Sequence, residues 1–73
     1  MSESKSLYYT LSPILQKMGN QWEYESRREK PDEDKMVFLF NHAVTLVTDA
    51  HKEGFLSDYE LKLFTEYIGD TFC

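Results

Sequence analysis

The sequence is short of positive charge, of cysteine, of glycine and of long apolar runs. Eight Lys and Arg stand against thirteen Asp and Glu, a net charge of −5. Phosphate-backbone affinity comes mainly from clustered Lys and Arg, so this balance argues against direct nucleic-acid binding and for a neutral or basic partner. The single cysteine, Cys73, cannot close an internal disulfide, and a lone thiol fits a reducing compartment. It is read as an exposed thiol without a role. The longest uninterrupted apolar run is MVFLF at 36 to 40, far below the roughly 20 residues that span a bilayer. The opening MSESKS has no apolar signal core, so the expectation is a cytoplasmic protein that does not enter membranes. Three scattered glycines give no phosphate-cradling loop.

What is present is enough to fold. With 41% hydrophobic and 15% aromatic residues the chain does not read as disordered. At 73 residues it holds one small core of marginal stability, which makes a homodimer a reasonable form. Residues 1–6 are expected to fray, and 7–73 to form a single small helical domain.

Ser12 and Pro13 make a helix entry, with Ser as N-cap and Pro at the first helical position, where its missing N–H costs nothing. Ile14, Leu15, Met18 and Trp22 then share a face, predicting a helix over about 13–27. Gly19 and Asn20 weaken it. The alternative is a helix ending at Met18 and an extended QWEYE, where Trp22 and Tyr24 alternate with acids. LYYTL at 7–11 fits either a short helical turn or an extended arm, and the charged RREKPDEDK at 27–35 reads as an exposed connection.

Asp32 can cap a second helix over about 33–52, with Glu33 and Asp34 favourably placed in its first turn. Met36, Val37, Leu39, Phe40, Ala43, Val44, Leu46, Val47 and Ala50 cover about half its circumference, the pattern of a central core helix. His42, at the edge of that stripe, is read as a packing residue. Phe38 stands among polar neighbours on the opposite side, a contact residue unless the first helix or the arm covers it. A third helix is predicted over about 58–68, with Leu61, Phe64 and Ile68 on one face and Tyr59, Leu63 and Tyr67 widening it, before Gly69 offers a stop. Phe72 can fold back on its end. The fold class is therefore all-α, a compact bundle of three main helices with a helical hairpin around Gly54 and room for a short N-terminal turn.

The turn between the last two helices carries the most specific pattern. DAHKEGFLSDYE, residues 49–60, has Asp at position 1, Gly at 6 and Glu at 12, and resembles a degenerate EF-hand loop. The resemblance implies a helix-loop-helix with oxygen ligands from Asp49, Glu53, Ser57 and Glu60 and the Phe55 carbonyl. Position 3 is His51, a poor ligand for a hard cation, and no second loop pairs with this one. A capped hairpin uses nearly the same residues. Gly54 ends one helix in the left-handed conformation, Ser57 and Glu60 form an S-x-x-E capping box, and Leu56 with Leu61 has the spacing of a hydrophobic staple.

Other chemistries find less support. A DNA-reading helix-turn-helix would place acids against phosphate, His42, His51 and Cys73 lack paired zinc spacing, and neither histidine has a visible nucleophile to activate. No enzyme, metal or cofactor is expected. By elimination, function should lie in a surface: an inhibitor or adaptor that occludes part of a larger protein with a basic face. RNA polymerase or another nucleic-acid-handling enzyme fits that description, and small proteins of this kind are common in phages and mobile elements. Candidate contact residues are Asp32, Glu33, Asp34, Phe38, Tyr59 and Leu63. An ion-binding module and a self-assembling structural subunit are the alternatives.

Overall fold

Asp32 starts the central helix as its chemistry dictates: the side chain accepts the Lys35 N–H at 3.1 Å, and Glu33 and Asp34 occupy the first turn. In the computed structural model, which describes residues 6–72, this helix is the second of three: α1 (Tyr8–Ser26), α2 (Glu33–Lys52) and α3 (Asp58–Thr71). All three pairs of helices touch, and α2 packs against both others. The all-α bundle and the hairpin agree with the pattern of the sequence. The predicted fraying of residues 1–5 and the predicted idleness of Cys73 fall outside the described residues.

The α2–α3 turn is built from caps. Gly54 has φ 90°, its N–H donates to the His51 carbonyl at 3.0 Å, and the Phe55 N–H donates to the Ala50 carbonyl at 2.8 Å. That pair of bonds is a Schellman closure, which needs a left-handed residue after the helix. Ser57 Oγ accepts the Glu60 N–H at 3.1 Å while Glu60 accepts the Ser57 N–H at 3.0 Å, completing the capping box of α3. Leu56 is buried and Leu61 packs against the core beside it.

The start of α1 corrects the prediction. The helix begins at Tyr8, not Pro13; Leu7 is its N-cap residue and Pro13 sits inside it. A proline inside a helix costs about 3 kcal/mol, and tertiary contacts of LYYTL offset it. The Leu7 N–H donates to the Phe55 carbonyl at 2.9 Å, Tyr8 stacks on Phe64 with centroids 4.7 Å apart, and Leu11 is buried. Burial of one such side chain contributes about 1.5 to 3 kcal/mol and a stacked aromatic pair about 1 kcal/mol more, so the extra turns are favoured. The Ser6 hydroxyl accepts the Tyr8 N–H and donates to the Glu60 carboxylate. LYYTL is thus the first part of α1 and no separate turn.

The first helix runs through Gly19 as predicted, whereas the stop predicted at Gly69 does not occur, and distant contacts explain both. At Gly19 a Cβ would lie 2.8 Å from Thr71 Cγ2 and 3.0 Å from the Tyr67 hydroxyl, so Gly19 is where α3 crosses α1. The helix runs through it and through QWEYE, and no strand forms among the described residues. Gly69 does not stop α3, which continues to Thr71, because Phe72 is pulled inward against Trp22 at 5.8 Å and Phe40 at 6.1 Å. The core joins Leu11, Leu15 and Met18 of α1, Leu39, Ala43, Val47 and Ala50 of α2, and Phe64 and Ile68 of α3.

One carboxylate is buried with it. Glu25, 3% exposed, receives Arg28 at 3.0 Å and Lys35 at 3.4 Å, and the Asp32 N–H points to it at 3.5 Å. Burial pushes its pKa up, but the hydrogen bond and charge of Arg28, the Asp32 N–H and Lys35 outweigh that, leaving it below 4.5. A carboxylate with a lowered folded-state pKa contributes stability that is complete above the unfolded value and is lost as pH falls through the folded one. Urea midpoints measured from pH 7 downward should therefore drop on the acid side of 4.5, and Glu25→Gln should lower the neutral midpoint and flatten that drop. Parallel acid limbs in the two proteins would remove Glu25 from the account.

Candidate docking groove

Helix α2 has a wider apolar arc than two neighbours can cover. Glu33, Val37, Phe40, Val44 and Thr48 follow one another at helical spacing along a single line of α2, and the line faces outward beside α3. Val37 is 57% exposed and Phe40 37%. Trp22, Glu33, Met36, Val37, Phe40 and Phe72 enclose an open hollow of about 370 Å³. Phe40 also lines a second hollow of about 280 Å³ with Val44, Val47, Thr48, Thr65, Ile68 and Gly69. The first lies by the α2 N-terminal end, between Trp22 of α1 and the end of α3, the second lies between α2 and α3, and the two meet at Phe40 to form a groove along α2. Nothing fills it at Gly69, where an added Cβ would meet no atom within 4 Å.

Charge is set unevenly along the groove. At its α2 N-terminal end stand Glu33 and, exposed beside it, Asp32 and Asp34. Of the cations near it in sequence, Arg28 and Lys35 are engaged by Glu25 and Lys30 is exposed, and Glu33 has no ion pair with any of them. At the other end His51 Nε2 lies 2.7 Å from Asp58 Oδ1, bridging α2 to α3.

The predicted contact residues do not form one surface. Asp32, Glu33 and Asp34 lie at the groove's end, though Asp32 is also spent on its cap. Phe38 is 63% exposed, uncovered by α1 or the arm, yet it is turned about 100° from Val37 and stacks on His42 at 5.6 Å on another side of α2. His42 is itself exposed and not a packing residue of the core. Tyr59 is 68% exposed in the first turn of α3. Leu63 is half-buried in a separate hollow with Tyr8, Ser12, Leu15 and Tyr67. Val37, Phe40, Trp22 and Phe72 are absent from the predicted contacts because Val37 and Phe40 read as the core stripe of α2, Trp22 as part of the apolar face of α1 and Phe72 as a fold-back onto the end of α3.

The residues of the loop pattern are placed by the caps. Asp49 lies in the last turns of α2, Glu53 is its C-cap, and Ser57 and Glu60 bond each other. The Ser57 N–H and the Ser6 hydroxyl hold Glu60 below the usual carboxylate range. Among the described residues, no three His, Cys, Asp or Glu side chains come together as a metal site. No helix among them is long and apolar enough to cross a membrane. No protein-family model matches the chain, and no curated protein or solved structure matches it at a significant level.

Proposed function

We propose that this chain is a non-catalytic protein-binding module that inhibits or adapts a larger protein with a basic surface, docking through the groove along α2. The observation that carries this reading is the apolar line of exposed Val37 and Phe40 and half-buried Val44, beside Ile68 and Phe72, with acids at one end. Apolar grooves rimmed by charge mark interaction sites, because exposed apolar surface gains from burial and complementary charge speeds encounter. The net charge of −5 suits a basic partner, such as a nucleic-acid-handling enzyme.

Affinity capture from a cell lysate separates this face from the others. Val37→Asp, at an exposed position, should leave the far-UV circular dichroism unchanged and reduce partner recovery at least tenfold, while Phe38→Ala leaves recovery intact. Loss with Phe38→Ala alone would move the site to the Phe38–His42 side. Equal recovery by both variants and the parent would remove both faces.

A further inference from the structure

Resting on that reading, we infer that the groove takes an amphipathic α-helix of the partner protein, with aliphatic anchors along one face and Lys or Arg at the end that lies beside Glu33. Three features of the groove specify this occupant.

The walls are helices, α2 and α3 with Trp22 of α1 at one end, whose backbone groups are consumed internally, so they offer no strand edge for an extended peptide to pair with. A cleft between two helices is filled by the side chains of a third lying along it, as in helix-in-groove recognition and in the fourth position of a bundle. The apolar line from Glu33 to Thr48 rises about 22 Å at 1.5 Å per residue, enough for about four turns of a bound helix. Such a helix presents anchors at i, i+3 or i+4, and i+7.

Charge distinguishes the two ends. Glu33 is in the groove wall without an ion pair among the described residues, and Asp34 is exposed next to it. Glu33 is the one charged residue among those lining the two hollows, whereas beyond Thr48 no charge lines the groove and exposed acids, Asp49 and Asp58, stand among exposed bases, Lys52 and Lys62. The occupant is thus basic at one end and not along its whole length. A second copy of this chain fits less well, since two chains of net charge −5 repel.

Trp22, the only tryptophan, lines the groove and reports its occupancy directly. The probe is a synthetic 16-residue peptide of alanine and glutamine, with leucines along one helical face and two lysines in one terminal turn. Its controls are an isomer with the leucines dispersed around the helix and a version with glutamates for the lysines. Titration followed by Trp22 emission should show the first peptide binding at least tenfold tighter than either control. Glu33→Lys should invert the preference between lysine and glutamate peptides, and Val37→Asp should abolish the signal. Equal binding of the dispersed isomer, or an unchanged charge preference in Glu33→Lys, would overturn the helix proposal. So would a concentration-dependent doubling of mass, without peptide, that Val37→Asp abolishes, since that assigns the groove to a second copy. If Val37→Asp still prevents lysate capture while the peptides show no such preferences, the docking groove stands and only its occupant is wrong.

Discussion

Leu15→Ala is expected to remove a large part of the stability of this protein. Leu15 is 1% exposed and, with Val47, one of the two largest fully buried side chains. Truncating a buried leucine costs about 2 to 5 kcal/mol, the upper part of the range applying where neighbours cannot collapse into the space. Leu15 sits in mid-α1 amid a core drawn from all three helices, which leaves little freedom to collapse. Stabilities of roughly 0.05 to 0.15 kcal/mol per residue give a chain of this length about 4 to 11 kcal/mol in all. A loss of about 3 kcal/mol should lower the thermal midpoint by more than about 10 °C. Ile14 precedes it in sequence but is 43% exposed, and Ile14→Ala should stay within about 1 kcal/mol of the parent. Urea denaturation of the two variants checks the contrast, and similar losses from both would mean that α1 does not dock on the face described.

Gly19→Val should rank next, and its effect should reach the groove. A glycine inside a helix is about 1 kcal/mol worse than alanine, so on propensity alone a larger residue would stabilise α1. Packing reverses the sign, because the first added carbon already meets Thr71 Cγ2 at 2.8 Å and the Tyr67 hydroxyl at 3.0 Å. Valine adds two methyls at that contact, and overpacking of this kind costs about 1 to 3 kcal/mol. The strain falls on the last turn of α3, next to Phe72, whose ring meets Trp22 and Phe40. Trp22 emission should therefore shift to the red together with the loss of stability. Gly19→Ala combined with Thr71→Ala should recover the propensity gain that Gly19→Ala alone does not realise. A stabilised Gly19→Val with unchanged emission would show that the helices do not approach there.

These two sites also show how far the sequence could be read. Asp32, Gly54, Ser57 and Glu60 act on backbone groups within a few residues, so α2 and the capped turn were legible from order alone. Pro13, Gly19 and Gly69 were not, since each is judged by what a distant element does: Phe64 and Phe55 hold the chain before Pro13, α3 crosses Gly19, and Phe72 is held beyond Gly69. The acids of the candidate site were legible at Glu33 and Asp34. Its apolar part was not, because periodicity assigns a residue to a face but does not say whether a neighbour lies over it. Val37 and Val47 belong to one arc of α2, yet one is 57% exposed and the other 1%.

The bonds that begin α1 have a consequence for the order of assembly. Ser6 reaches Glu60 across 54 positions, and Leu7 reaches Phe55, so the helix entry is stitched to the turn of the α2–α3 hairpin. The hairpin needs only short-range contacts, whereas this stitch closes a ring through nearly the whole chain, and the entropy of loop closure places it late. The same closure cost makes it the contact expected to reopen first. Unstitching would free Tyr8 from Phe64 at the proline-weakened start of α1 while the groove along α2 keeps its shape. The molecule can therefore breathe at one seam and present an unchanged face to its partner at another.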